Sequence, residues 1–491
     1  MRGIQINYTL KLSLLLALAF ILLQGCFGIG PKVGPDYTLP NLEMQDTWHQ
    51  EITKGLQDGE TNLQTWWSVF NDPVLNGLIE RAGEGNKDLK IAFARIKQAR
   101  AQRGIAASER YPELDATGTA QKIRSPHTFF PPTTQKTRTD DFFMFGGEGS
   151  WEIDFWGRID RSVESADASL EASIEDYRDV LVVLYAEVAS NYVEVRTLQE
   201  RIKYIRGNIE TQRKSLQLTK DRFKVGLAAD LDVQQAQLNL SKTKSALPTL
   251  QMMLVQTINR LGVLLGKHPD TLHDELGKSE SIPKPSEQIT VGLPLDLLRQ
   301  RPDIRQAERE LAAQTALIGV ATADLYPTFS LLGSLKVAAN DFSDAISYSK
   351  SRMYNYGTSF KWNIFTGGRV RNQIRVEGAQ TEQALESYEK TVLNALEDVE
   401  NAMVSYIQER VRREDLEQSV TAARKSVEHV IILYKTGLTD FQDVQQMELF
   451  KFEQEDQFAD SKGTVIQNLI SIYRSLGGGW EPESSQIVKI K

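Results

Sequence analysis

The chain has 491 residues, 25% of them charged, and a net charge of −8. That length suits two or three ordinary domains, and the negative balance excludes the basic face that a nucleic-acid binder needs. One cysteine, Cys26, and five histidines leave no disulfide framework and no cysteine-based metal site.

Residues 1–25 read as a targeting segment. Arg2 and Lys11 lead into an apolar run over residues 12–23, the length of a signal h-region and too short to span a bilayer as a helix. Leu23-Gln24-Gly25-Cys26 follows and resembles the lipobox of bacterial lipoproteins, in which the chain is cut before the cysteine and the new N-terminus is acylated. The competing reading is a plain secretory signal with an incidental cysteine. Phe27 stands where an Asp would signal inner-membrane retention, so the outer membrane is the expected destination.

Residues 26–65, rich in Pro, Gly and polar residues, are expected to form an extended acylated arm packed on the surface. A helical pattern begins at Trp66-Trp67-Ser68-Val69-Phe70-Asn71-Asp72-Pro73, with Asp72 as N-cap and Pro73 in the first turn. It runs to about Arg110 with a break near Gly83-Glu84-Gly85-Asn86. Tyr111-Pro112 ends it. A β-hairpin is predicted over about 113–153, around a loop at 125–141, with Phe143, Phe145, Gly147, Gly149, Trp151 and Ile153 on one face.

A long helix is then predicted from Gly157-Arg158 to about Phe223. Ile174, Tyr177, Leu181, Leu184, Val188, Asn191 and Val195 make a heptad seam along it. At 1.5 Å per residue such a helix measures roughly 100 Å. A tip at about 224–233 leads to a returning helix that ends near Gly262, with a kink expected at Pro248. Residues 266–294 read as a linker.

The pattern then repeats. Tyr326-Pro327 matches Tyr111-Pro112, and a second hairpin is predicted over about 328–365. Trp362-x-Ile364-x-x-x-Gly368-Arg369 matches Trp151-x-Ile153-x-x-x-Gly157-Arg158 at an offset of 211. A second heptad follows as Leu385, Tyr388, Val392, Ala395, Val399, Ala402 and Tyr406. The tips themselves align without a gap. Phe-Lys-Val-Gly-Leu-Ala-Ala-Asp-Leu-Asp-Val-Gln-Gln at 223–235 faces Tyr-Lys-Thr-Gly-Leu-Thr-Asp-Phe-Gln-Asp-Val-Gln-Gln at 434–446. The chain is therefore a tandem duplication, with a first repeat over 66–265, a second over 295–477 and a C-terminal segment at 478–491.

Each repeat supplies two strands with alternating apolar and polar faces, the pattern of a membrane β-barrel. Four strands cannot close a barrel and open edges are not tolerated in lipid, so protomers must share one. Two would give eight strands with a filled interior, while three give twelve around an aqueous lumen. A soluble sandwich fragment is the bland alternative for the strands, and a solvated rod for the heptads. The residues thus predict an α+β membrane protein in which a duplicated chain contributes four strands to a shared barrel, continued by a tube of long helices.

The lipobox, Val33-Gly34-Pro35-Asp36-Tyr37, the double-Trp segment at 66–73, Gly292-Leu293-Pro294 leading into Arg301-Pro302-Asp303-Ile304-Arg305, and Leu476-Gly477-Gly478-Gly479-Trp480 together resemble the TolC-like outer-membrane factors of tripartite efflux systems, in their lipoprotein branch that works with RND pumps. The resemblance spans nearly the whole chain. It implies a homotrimer in outer-membrane lipid with a shared twelve-stranded β-barrel, a periplasmic α-helical barrel and a mixed equatorial region formed by the linker and terminal segments. The resemblance further implies that the trimer joins a periplasmic adaptor and an inner-membrane RND pump. It also implies a passive conduit for small molecules with no catalysis, no resident metal and no cofactor beyond the lipid on Cys26. A protein-secretion duct and a non-conducting envelope lipoprotein are the alternatives.

In the resembled family the position of Asp443 lines the periplasmic constriction, and those of Tyr434 and Asp232 help hold the closed state. Gln446 stands where a second acidic residue is common, and Thr439 where some members carry an Arg, so neither the double acidic ring nor that ionic latch carries over. Helix capping alone is the competing role for the two aspartates. Val225-Gly226-Leu227 and Thr436-Gly437-Leu438-Thr439 resemble the grooves that receive the adaptor; helix termination by Gly is the competing role there. The copies differ at Ala228-Ala229-Asp230 against Thr439-Asp440-Phe441, and the second tip is the expected mover.

Overall fold

The computed structural model describes residues 30–42, 47–49, 56–58, 63–125, 138–285, 289–291, 297–346 and 351–481. The expectations for the signal segment, Cys26, residues 292–294 and the segment beyond Glu481 lie outside the described residues.

In chain order the elements are strand β1 (Leu56–Asp58), a 3-10 turn (Trp66–Phe70), helices α1 (Pro73–Gly85) and α2 (Lys87–Ser108), and strands β2 (Glu113–Ser125) and β3 (Arg138–Ile153). Helices α3 (Arg158–Lys224) and α4 (Asp230–Leu264), strand β4 (Ile289–Val291) and helix α5 (Pro302–Ala323) follow. Strands β5 (Thr328–Ala339) and β6 (Arg352–Lys361) precede helices α6 (Arg369–Thr436) and α7 (Phe441–Ser475). The order α2-β2-β3-α3-α4 recurs as α5-β5-β6-α6-α7, as the duplication requires. The described residues fall into two compact units. One holds those up to Pro40 with Ile96–Ala172 and Ala307–Tyr388; the other holds Asn41–Arg95, Ser173–Gln306 and those from Glu389 onward.

The first unit contains an antiparallel sheet in the order β2-β3-β5-β6. Its register joins the alternations of all four strands. Phe145 lies between Gly118 and Val337, Gly147 between Ala116 and Leu335, and Trp151 beside Leu331, while Leu335 meets Tyr354 and Phe329 meets Phe360. Directly opposed residues share a face, so one side of the sheet is largely apolar over this stretch, with Thr358 beside Leu331 and Arg352 beside Val337. The other side carries Asp115, Thr117, Glu148, Ser334, Lys336 and Asn355, with an ion pair of 2.7 Å between Lys336 and Glu148. The outer strands, β2 and β6, each have one strand neighbour among the described residues.

The repeated rare residues have repeated jobs. The Trp151 indole donates to the Arg110 carbonyl at 2.9 Å, and the Trp362 indole to the Leu325 carbonyl at 3.0 Å. Each accepting residue immediately precedes a Tyr-Pro pair, so each Trp ties the end of a helix to the sheet in its own copy. The arm packs against this unit as expected. Val33 N–H donates to the Trp156 carbonyl at 3.1 Å, and the buried Arg161 guanidinium reaches the Val33 carbonyl at 3.3 Å and the Asp36 carboxylate at 2.6 Å. A Cβ on Gly34 would stand 2.4 Å from the Gly319 Cα, so the arm crosses α5 where backbone meets backbone.

The second unit confirms the start of the first helix. Asp72 caps α1 through bonds from Val74 and Leu75 N–H at 2.9 and 3.1 Å, and also accepts the Tyr192 hydroxyl at 2.6 Å. The double-Trp motif is a packing device: Trp66, fully buried, stacks on Tyr473 at 5.3 Å, and Trp67 meets Tyr185 edge-on. Trp480 lies against the Arg178 guanidinium at 4.5 Å, with Arg305 at 5.4 Å, and its indole donates to the Gln300 carbonyl. The heptad seams are largely buried, with Val188, Val195, Ala395 and Val399 fully so.

The extended arm also pairs, since β1 lies parallel to β4 of the linker; three-residue strands carry no readable periodicity. Three expectations need correction. The loop placed at 125–141 is shorter, since Thr139, Asp140 and Asp141 pair with Arg124, Ile123 and Lys122. Backbone pairing outruns the apolar alternation there. Trp362 and Ile364 lie beyond the end of β6 at Lys361, and the Trp362 indole is spent on Leu325. The second hairpin's loop also holds a helical turn (Phe342–Ile346), whose Phe342 packs edge-on against Phe143. Helix α4 carries Pro248 in its interior.

Asp179, Arg301, Asp303, Asp398 and Arg474 line a cavity of about 300 Å³ in the second unit. Arg301 is committed to Asp303 at 2.6 Å and to the Ser475 carbonyl at 2.8 Å. Burial first, and then the nearby Asp303 charge, push the Asp179 carboxyl up from 3.8 to about 6. A carboxylate raised in the folded state costs nothing well below its ordinary pKa; the cost grows between the ordinary and the folded value and is complete above the latter. Asp179→Asn is therefore expected to stabilise the fold by up to about 2 kcal/mol at pH 7.5 and by nothing measurable at pH 3. Thermal melts of both proteins at the two pH values read this directly, and an equal shift at both would refute it.

Candidate functional site: the paired helical tips

Both long hairpins turn by the same backbone device. Gly226 and Gly437 each have φ of 78°, the left-handed region open to glycine. Leu227 N–H donates to the Arg222 carbonyl at 2.8 Å and Leu438 N–H to the Leu433 carbonyl at 2.9 Å, while each Gly N–H bonds three residues back, to Phe223 or Tyr434. This is the Schellman closure of a helix C-terminus. Helix termination is therefore a role these glycines do fill. Yet a Cβ on Gly226 would meet nothing within 4 Å, and one on Gly437 would meet only the Arg222 Nη2 at 3.9 Å. Val225, Leu227 and Leu438 around them are 69%, 65% and 75% exposed. Apolar side chains thus flank an open backbone ledge at each tip. Thr436 is exposed too, its hydroxyl turned back to the Leu433 carbonyl at 2.9 Å.

The returning helices start differently. In the first copy Ala229 occupies the N-cap, and Asp232 in the first turn accepts its N–H at 3.0 Å. In the second copy Asp440 is the N-cap, accepting Asp443 N–H at 3.2 Å, and Asp443 accepts the Thr439 hydroxyl. Both aspartates therefore serve their own helix starts, where the helix dipole also favours a negative charge. Thr439, standing in place of an arginine, is spent within its own turn. Asp443 and Gln446 are exposed and Asp232 is half-buried.

Tyr434 does not face outward. It is 3% exposed, and its ring meets Phe441 edge-on at 5.6 Å. Both belong to one apolar cluster with Leu216, Val233, Ala236 and Val444. Phe441 has Asp230 as its counterpart in the first copy, so only the second tip inserts an aromatic side chain into this cluster. Deleting a buried Phe costs about 3–5 kcal/mol and deleting a cap about 1. The aromatic anchor is therefore the larger difference between the copies.

One residue here is absent from the sequence reading. The Arg222 guanidinium lies 4.7 Å from the centre of the Tyr434 ring and donates through Nη1 to the Lys435 carbonyl at 3.1 Å. It belongs to a polar series on α3 with seven-residue spacing, in which Asn208 donates to Glu455 at 2.7 Å and Ser215 to Glu448 at 2.5 Å. Burial pushes the Glu448 carboxyl above the usual range. The repeat itself carries the signal: the position 211 residues after Arg222 is Leu433, so the arginine belongs to the first copy alone. The histidines of the linker are engaged locally, His268 with Asp270 at 2.7 Å and His273 with Asn259 at 2.9 Å.

The family model described as outer membrane efflux protein matches residues 78–267 and 293–478, the two copies of the duplication. Nodulation protein T of Rhizobium leguminosarum bv. trifolii is 30% identical over 425 residues, covering 86% of this chain and 88% of its own length. The pyoverdine export outer membrane protein OpmQ of Pseudomonas aeruginosa is 30% identical over 436 residues, 87% of this chain and 90% of its own. The solved structure of the outer-membrane channel OprN superposes with a TM-score of 0.85 at 36% identity, over 92% of this chain and all of that one. These matches extend across the strands, the long helices and both tips, and the chain belongs to the outer membrane efflux protein family, the channels of tripartite efflux systems.

Proposed function

We propose that three copies of the chain form a passive conduit that is closed at rest by its six tips and opened when a periplasmic adaptor docks on them. The observation that carries this reading is the open glycine ledge at each tip, flanked by exposed Val225, Leu227 and Leu438. An apolar surface beside a backbone without Cβ suits the close approach of a partner helix tip. Closure into a trimer follows from the sheet. Its outer strands β2 and β6 present unpaired backbone, and in lipid the missing partners come from the neighbouring copies. The largely apolar face then meets lipid and the polar face lines the lumen.

Cys26 carries the lipid anchor in this reading, four residues before the start of the described arm. The fixed arm, with Arg161 holding Val33 and Asp36, keeps that anchor beside the sheet. Transport energy comes from an inner-membrane RND pump, and the adaptor joins the two. Asp443, exposed and repeated three times about the axis, forms the constricting acidic ring, with Asp232 behind it. Crowded carboxylates at a narrow ring draw cations and hinder free flow. Small molecules are the cargo class in this reading.

Two measurements test the reading. Gly226→Trp adds bulk where only solvent stands, so efflux in cells is expected to fall to the level of a deletion strain while trimers assemble normally. Gly226→Ala, equally strained at this φ but small, retains most efflux; normal efflux from the Trp variant would eliminate the docking ledge. Asp443→Ala is expected to raise the single-channel conductance of purified trimers in planar bilayers, and an unchanged conductance removes Asp443 from the gate.

A further inference from the structure

We infer that Arg222 is the latch that holds the two tips of one protomer together, and that docking at Gly437 releases it. The inference rests on the gate reading above and assigns its mechanical element. Arg222 lies in the last turn of α3, in the first copy, yet its two partners belong to the second. Its Nη1 donates to the Lys435 carbonyl at 3.1 Å, and its guanidinium covers the Tyr434 ring at 4.7 Å. Lys435 stands one residue before the end of α6, where backbone carbonyls have run out of helical donors. A cation placed there satisfies one of them and suits the negative end of the helix dipole. The ring face adds a cation–π contact in a setting where the tyrosine is almost wholly buried.

No carboxylate competes for this arginine. Its chain neighbour Asp221 is occupied by Gln217 and Lys224, both at about 3.1–3.2 Å. Asp232 and Asp443, the two acids of the tips, are spent on Ala229 N–H and the Thr439 hydroxyl. The Arg222 Nε is buried without a partner, and so is the Tyr434 hydroxyl. The contact is therefore held at two points and left unsatisfied at two others. Such a contact favours one arrangement without locking it.

The coupling comes from position. Arg222 Nη2 is what a Cβ on Gly437 would touch first, at 3.9 Å, whereas Gly226 has nothing near it. A partner backbone seated on the Gly437 ledge contacts the guanidinium, and moving it uncovers the Tyr434 face and the Lys435 carbonyl together. The two ledges then differ in kind. The Gly226 ledge only binds, and the Gly437 ledge binds and unlatches.

The test uses the full-length trimer in planar bilayers without adaptor. Arg222→Met keeps the aliphatic stem and removes the guanidinium, and is expected to raise resting conductance about fivefold. Gly437→Trp is expected to do the same by displacing Arg222, while Gly226→Trp leaves conductance at the wild-type level. If Arg222→Met fails to assemble, Gly437→Trp against Gly226→Trp still decides. Wild-type conductance in Arg222→Met, beside a raised value in Asp443→Ala, overturns the latch and leaves the gate standing. Wild-type conductance in both removes the gate and the latch together. Equal conductance in the two Trp variants overturns the coupling.

Discussion

The rest of the architecture depends on one unpaid account of backbone hydrogen bonds. The sheet of this chain ends on both sides in strands that have one neighbour each. Water can satisfy such edges and hydrocarbon cannot. A chain that buries them in lipid must borrow strands from its own copies, and a threefold arrangement leaves a lumen where a twofold one would fill it. The lumen in turn needs an inner closure, the role proposed for the tips of the long hairpins.

Duplication makes the closure possible and its divergence makes it work. The two copies share the glycine turn bond for bond, including equal φ at Gly226 and Gly437. They differ in what surrounds it. The first tip supplies an arginine and ends in exposed residues, whereas the second supplies Tyr434, Phe441 and the Lys435 carbonyl that receive it.

Much of the fold was legible because it rests on periodicity and on rare residues. Alternation over ten or more residues marked the four strands, and the register later put Phe145, Gly147, Trp151, Leu335 and Tyr354 on one face without exception. The heptads marked the buried seams of α3 and α6. Repeated Trp, Tyr-Pro and Gly marked the duplication, and the structure gives the first two a shared purpose in the bonds from Trp151 and Trp362. The parallel pairing of β1 with β4 was not legible, since a three-residue strand has neither length nor period and its partner lies more than two hundred residues away.

The candidate site divides the same way. By itself the sequence determined where the tips lie, that glycine turns them, and which acids follow, because each of these is set by neighbours within one turn of helix. Only tertiary structure decided what the side chains do there. Asp232 and Asp443 became partners of their own helix starts, Tyr434 turned into the core, and Arg222 emerged as the contact between copies. That contact joins residues 213 apart in the chain, held in place by the packing of α3 against α6 and α7. No local pattern encodes such a distance; it exists only once buried apolar surface has brought the two hairpins side by side.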